Sequence, residues 1–105
     1  MKFINTDYFL NQKNSLEIRF PKITSDWDDF VENFSIQLWI SLGEGIYKFR
    51  CKNSSIPTGK SGGFRIIVKA FENKVLPLII YSKTDISNIS KRQIITALQE
   101  VLEEL

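Results

Sequence analysis

The sequence predicts an α+β fold, in which an antiparallel sheet in the middle of the chain packs against helices before and after it. Three central segments are rich in β-branched and aromatic residues, as strands are. The two segments that flank them repeat apolar residues every three or four positions, which is typical of amphipathic helices. Since 105 residues suffice for one apolar core and not for two, we expect a single domain over residues 1–105.

The N-terminal twenty residues fit two interpretations. After an opening strand at residues 2–5, the stretch "TDYFLNQKN" has the composition of a short capped helix, whereas "LEIRF" alternates apolar and polar residues like a strand. Periodicity over so few residues does not distinguish a helix from a strand, so both interpretations stay open.

The first clear helix is predicted to begin at Ser25. Its hydroxyl can accept a hydrogen bond from a free backbone amide, and Asp28 stands three residues later as the partner in a capping box. The apolar residues that share one face of this helix are Trp27, Phe30, Val31, Phe34 and Leu38. We expect this face to pack against the sheet.

Three strands are predicted next, over residues 46–52, 64–71 and 75–82, with a tight turn at residues 72–74 between the last two. Their order predicts an antiparallel meander. In the first strand, alternation places Lys48, Arg50 and Lys52 on one face and apolar residues on the other.

Arg65 interrupts the apolar run of the second strand. Alternation puts it on the same side as Ile67, so we expect its guanidinium on a partly buried face. A charged residue in that position needs a reason, which is either a function or a structural ion pair with Asp85.

The C-terminal helix has the clearest local signal. Ser90 is the predicted N-cap, Gln93 completes a capping box, and Ile89 and Ile94 form a hydrophobic staple. The apolar positions of the helix are Ile94, Leu98, Val101, Leu102 and Leu105.

The tripeptide Gly59-Lys60-Ser61 matches the end of a P-loop, but its flanks do not. Ser54 stands where a P-loop needs a glycine, and a strand pattern follows in place of a helix. We therefore expect no nucleotide cofactor, and Lys60 is expected in a flexible glycine-rich loop.

Composition closes several classes of function. The chain has one cysteine and no histidine, which excludes an internal disulfide, a Cys/His zinc site and a histidine-assisted nucleophile. No apolar run approaches the length of a membrane span, and the N-terminus lacks the pattern of a signal peptide. We expect a cytoplasmic protein that does not bind a membrane.

The net charge of +2 hides a segregated distribution. Residues 45–92 contain ten basic and two acidic groups, a net charge of +8, whereas residues 1–44 and 93–105 are both acidic. A basic centre favours a surface that binds a polyanion, although a solvated sheet face has the same composition.

Three motifs in this basic centre occur in a fixed order: "IYKFR", then "GKSGGFRIIV", then "LIIYSKTDIS", followed by the capped helix. The set resembles the RelE/HigB family of toxins from bacterial toxin–antitoxin systems, within the RelE/ParE superfamily. The resemblance covers residues 45–105. Residues 1–44 match the family poorly: it usually has an opening strand and a helical hairpin there, and "LEIRFPKIT" does not have the pattern of the expected first helix.

The resemblance implies a curved antiparallel sheet with helices on one side, and a toxin that cleaves messenger RNA in the ribosomal decoding site. The implied partners are the ribosome, the messenger RNA and a cognate antitoxin, and no cofactor is implied. The implied catalytic residues are Lys48, Arg50, Arg65, Tyr81 and Lys83. Those expected to bind RNA phosphates are Lys52, Lys60 and Arg92.

Cleavage by a ribose 2′-hydroxyl requires neutralised phosphate charge and the transfer of two protons. Arginine suits the first task because it is always charged and forms paired bonds to phosphate oxygens. Tyr81 can stack on a base or act through its hydroxyl, and several lysines compete as the general base. The alternative is a binding module without catalysis, either a ParE-like gyrase inhibitor or an inactive toxin that still binds its antitoxin.

Overall fold

The structure, a computed structural model, describes residues 2–34, 40–57 and 62–105. Over these ranges the chain forms three helices and five strands and has an α+β fold. The elements in chain order are β1 (Lys2–Phe3), α1 (Asp7–Glu17), α2 (Ile23–Glu32), β2 (Ile40–Gly43), β3 (Ile46–Cys51), β4 (Phe64–Phe71), β5 (Lys74–Ser82) and α3 (Lys91–Glu103).

The strands form one open sheet in the order β1-β5-β4-β3-β2. Strands β3, β4 and β5 form the predicted antiparallel meander, and β2 pairs antiparallel with β3 at its edge. β1 departs from the expected pattern because it runs parallel to β5, with Lys2 opposite Lys74 and Phe3 opposite Val75. The sheet is therefore mixed: two helices, not a hairpin, follow β1, and such a connection permits parallel pairing.

Helices cover both faces of the sheet, so the arrangement with helices on one side, which the resemblance implies, is wrong for this chain. Helices α1 and α2 pack on one face, where Phe9, Trp27, Phe49 and Phe64 belong to one buried cluster. Helix α3 packs on the opposite face, which we name the α3 face. Its buried cluster comprises Ile46, Ile67, Leu76, Leu78, Ile79, Tyr81, Ala97 and Val101.

Helix α2 begins earlier than predicted. It starts at Ile23, and the N-cap residue Lys22 makes no side-chain capping bond, so the predicted cap at Ser25 is wrong. Ile23 is completely buried, and its amide donates to the carbonyl oxygen of Phe20 at 3.0 Å. Burial of this anchor outweighs the capping preference of serine. Leu38 and the rest of residues 35–39 lie outside the described residues.

Helix α3 begins as predicted. The Ser90 hydroxyl accepts from the amide of Gln93 at 3.1 Å, and the Gln93 side chain accepts from the amide of Ser90 at 2.8 Å. Ala97 and Val101 are fully buried. The predicted apolar stripe is wrong at Leu102 and Leu105, which are 49% and 60% exposed. Leu102 lies about 80° from the line of residues 94, 98 and 101, and Leu105 follows the end of the helix.

The two open N-terminal interpretations are resolved in favour of the helix. The Thr6 hydroxyl accepts from the amide of Phe9 at 3.3 Å and caps α1, whereas "LEIRF" contains the end of α1 and the turn after it. Strand β2 was not predicted. Its turn into β3 is marked by positive φ angles at Gly43, Glu44 and Gly45.

Among the described residues, no helix has the length and apolar character needed to cross a membrane.

Candidate functional site

Pairing of β3, β4 and β5 aligns three predicted site residues across the α3 face. Arg50 is the direct partner of Arg65, and Arg65 is the direct partner of Tyr81. Directly opposed residues in antiparallel strands have Cβ atoms about 4.5–5.5 Å apart. We name this set, Arg50, Arg65 and Tyr81, the arginine row. Lys48 lies on the same face in the next row, opposite Ile67.

Arg65 is buried, and no acidic residue in the described part of the chain is paired with it. It is 5% exposed, and its Nη1 donates to the carbonyl oxygen of Phe64 at 3.3 Å. Among the described residues, no carboxylate forms a salt bridge with it. The structural alternative, a pair with Asp85, is absent because both Asp85 oxygens accept from Arg19, at 2.6 and 2.8 Å.

Burial and a neighbouring positive charge both disfavour the charged form of Arg65. Burial lowers the pKa of the guanidinium, and the positive charge of Arg50 lowers it further, with Tyr81 opposing the change. Within residues 2–34, 40–57 and 62–105, no carboxylate pairs with Arg65 beside Arg50, which leaves this part of the α3 face short of negative charge. A bound anion would relieve that imbalance.

Tyr81 adds a hydrogen-bond donor to the row. The residue is 3% exposed, and its hydroxyl has no hydrogen-bond partner among the described residues. Burial raises the pKa of this phenol, and the charge of Arg65 only partly offsets the rise. At neutral pH Tyr81 is therefore a neutral donor without an acceptor.

Gly63 allows the loop before β4 to approach the end of β3. A Cβ atom on Gly63 would lie 2.6 Å from the carbonyl oxygen of Cys51 and 3.6 Å from Nη1 of Arg65. The carbonyl oxygen of Gly63 also accepts from the amide of Lys83 at 3.1 Å. The glycine pair of the "GKSGGFR" motif thus includes a position where only glycine fits beside Arg65.

A groove of about 540 Å³ opens between α3 and the sheet, and we name it the α3 groove. Its cationic side chains are Lys48, Lys69 and Lys91, and Tyr81 also lines it. The apolar walls include Ile46, Ile67, Ile94 and Leu98. Sequence reasoning missed Lys69 and Lys91 as site residues. Strand alternation from Arg65 places Lys69 on this face, whereas the position of Lys91 depends on where α3 packs.

The remaining predicted site residues do not join the arginine row. Lys83 donates from Nζ to the carbonyl oxygen of Ser87 at 2.6 Å and so holds the loop after β5. Lys52 is exposed and follows the last residue of β3. Arg92 lies in the first turn of α3 and lines a second groove, and Lys60 lies outside the described residues.

In comparisons with known proteins, no family model matches the chain, and no curated protein matches it. The interpretation of the site therefore depends on the residues of the chain themselves.

Proposed function

We propose that the chain is a ribosome-dependent endoribonuclease toxin of the RelE/HigB type, which inhibits translation by cleaving messenger RNA. The observation that supports it most directly is the buried Arg65, which has Arg50 and Tyr81 as neighbours and no carboxylate partner among the described residues. Burying an unpaired charge costs free energy, so the arrangement favours a site that receives an anion. The phosphodiester of RNA is the anion that the family resemblance suggests.

The arginine row has the groups that this reaction needs. The ribose 2′-oxygen forms a bond to the adjacent phosphorus, the bond from phosphorus to the 5′-oxygen breaks, and negative charge builds on the non-bridging oxygens. Arg50 and Arg65 would stabilise that charge through paired hydrogen bonds. One proton must leave the 2′-hydroxyl and another must reach the 5′-oxygen, and Tyr81 would donate a hydrogen bond to the reacting phosphate.

The order of the elements supports the same proposal. An opening strand and two helices precede the antiparallel strands, and a capped helix closes the chain. The opening strand and the two helices agree with the pattern usual in the family, whereas the mixed sheet differs from the antiparallel one that the resemblance implies.

We further propose that the cognate antitoxin covers the α3 groove with an acidic, partly apolar segment. The lysines at the groove and the exposed apolar side chains of Leu42 and Ile95 are complementary to such a segment. The same features favour the second candidate function, a binding module without catalysis. In that case partner binding would depend on Leu42 and Ile95 and would not depend on the arginine row.

The test is to add the purified protein to programmed bacterial ribosomes and map new RNA ends by primer extension. We expect cuts at fixed positions within the decoding-site codon and no cuts on naked RNA. The Arg65→Ala variant should lose the cuts, whereas Arg19→Ala, which alters an exposed ion pair away from the arginine row, should keep them. Growth arrest without any cuts would reject the nuclease and make gyrase the next target to assay. If the protein causes neither cuts nor growth arrest, the result would indicate a binding module.

A further inference from the structure

Strand β5 contains a bulge that decides which way Tyr81 faces. Val68 of β4 is opposite Pro77, but its neighbour Ile67 is opposite Ile79, so Leu78 is an extra residue on β5. As a result, the consecutive residues Leu78 and Ile79 both belong to the buried cluster on the α3 face. A bulge of this kind shifts the alternation of every residue that follows it.

Without this extra residue the arginine row would not form. A continuous register would place Ile80, not Tyr81, opposite Arg65 and would turn Tyr81 toward the cluster under α1 and α2. The phenol would then lie on the face opposite the two arginines. The composition of the row therefore depends on the backbone of β5 between Pro77 and Tyr81.

Gln12 of α1 binds this part of the β5 backbone. Its Nε2 donates to the carbonyl oxygen of Leu78 at 2.9 Å, and its Oε1 accepts from the amide of Ile80 at 3.4 Å. A parallel neighbouring strand would bind these two backbone groups in the same way. The short β1 ends before this point, with its last bond to β5 from the amide of Ile4 to the carbonyl oxygen of Val75. The side-chain amide of Gln12 thus continues the pairing that β1 begins.

We propose that Gln12 is a positioning residue that holds the β5 bulge and thereby keeps Tyr81 on the α3 face beside Arg65. Both backbone groups need partners, because an unpaired buried amide or carbonyl is unfavourable. A register slip by one residue is the alternative way for β5 to pair with β4. The relevance of this role to cleavage rests on the proposed function, but the position of Tyr81 can be measured in the free protein.

The first test uses Gln12→Leu, which removes both hydrogen bonds to β5, and a 3.4 Å bond to the Tyr8 carbonyl oxygen within α1, while keeping a side chain of similar size. Nuclear Overhauser contacts of the Tyr81 ring report its position, and Tyr81→Phe assigns its signals among the three tyrosines. In the unmodified chain we expect ring contacts with the α3-face cluster and a clear shift of the ring signals on Arg65→Gln. In Gln12→Leu we expect both to be lost or strongly reduced. The matched control is Ser15→Ala, which removes a hydrogen bond within α1, to Asn11, that does not reach β5.

A second variant, Gln12→Glu, makes the same test reversible. A protonated carboxylic acid can donate to the Leu78 carbonyl and accept from the Ile80 amide, whereas a carboxylate cannot donate. We expect Tyr81 signals like those of the unmodified chain at low pH and like those of Gln12→Leu at higher pH. The titratable groups that line the groove around residue 12 are Tyr8, Tyr81 and Arg92. A transition that is absent from Gln12→Leu over the same pH range reports the introduced carboxyl group.

The outcomes separate this proposal from the proposed function. If Gln12→Leu lowers the unfolding free energy but leaves the Tyr81 contacts and the response to Arg65→Gln unchanged, Gln12 has only a structural role and the proposal is overturned. If the contacts change and ribosome-dependent cleavage falls as far as in Tyr81→Phe, the proposal is supported together with the nuclease. If the contacts change in a protein that never cleaves RNA, the positioning role stands and the nuclease fails.

Discussion

Replacing Arg65 with methionine is expected to stabilise the fold while it abolishes the proposed anion site. Methionine keeps an unbranched apolar stem in the 5%-exposed position but removes the unpaired guanidinium. We estimate a gain of about 2 kcal/mol from removing a buried ion. Loss of the hydrogen bond to the Phe64 carbonyl, at 3.3 Å, subtracts about 1 kcal/mol. The net expectation is a gain of about 1 kcal/mol in the free energy of unfolding.

Urea denaturation measures this change. With an m-value of about 1.5 kcal/mol per molar urea, a gain of about 1 kcal/mol raises the midpoint by about 0.7 M. In a domain of this size the melting temperature should rise by about 4–8 °C. Sulfate should raise the midpoint of the unmodified chain, because an anion that binds only the folded state stabilises it, and should have less effect on Arg65→Met.

Arg19→Met is the matched control, because the Arg19 side chain is 55% exposed and its guanidinium is bound to Asp85. It should lose a little stability and keep the sulfate effect of the unmodified chain. A loss of more than about 2 kcal/mol in Arg65→Met would place Arg65 among the residues that hold the fold together. That result, with an unchanged response to sulfate, would refute the assignment of an anion site.

Three further predictions concern other parts of the chain. Glu104→Gln should lower the free energy of unfolding by about 1 kcal/mol in urea denaturation, because the carboxylate accepts hydrogen bonds from the first two amides of α1 at 2.7 and 2.9 Å. Glu103→Gln, at an exposed neighbouring position, should leave the free energy of unfolding unchanged. Gly63→Ala should cost about 1–3 kcal/mol in the same assay, because its Cβ would lie 2.6 Å from a backbone oxygen, and a neutral result would show that this loop adapts. Burial, and then two nearby aspartates, raise the pKa of the Cys51 thiol to about 12, so a thiol reagent at pH 8 should react with it only on unfolding. Because the pKa of this thiol is higher in the folded chain than in the unfolded chain, the thiol favours the folded state below about pH 9, and that contribution is lost as the pH rises toward 12. Fast labelling of the folded protein at pH 8 would contradict the burial of Cys51.

The parts of the fold that were predicted correctly are those with local signals. The second predicted strand, residues 64–71, has the observed bounds of β4, and the capping box of α3 forms as expected. In both cases the preference of the local sequence agrees with the tertiary environment. The start of α2 was missed because burial of Ile23, a tertiary contact, overrides the capping signal at Ser25.

The candidate site was only partly predictable. Alternation placed Lys48 and Arg50 on one face of β3 and Arg65 on a partly buried face of β4, and the structure agrees with both. Strand alternation could not predict which face of the sheet Tyr81 occupies, because the bulge in β5 reverses the alternation of the residues that follow it. Pro77 within a strand is the one local sign of that bulge, since proline in a sheet is confined to edges, strand starts and bulges. The local sequence around Gln12 does not indicate its contacts with β5, because its partners lie 66 and 68 residues away.

The most direct test of the central claim is the cleavage rate of Arg65→Met on programmed ribosomes, measured on the same preparation as its stability. If Arg65 belongs to a catalytic anion site, the variant should be at least as stable as the unmodified chain. Its cleavage rate should fall by about a hundredfold or more, which is the loss expected when a group that stabilises transition-state charge is removed. A stable variant that still cleaves at the unmodified rate would contradict the claim that the arginine row performs the reaction.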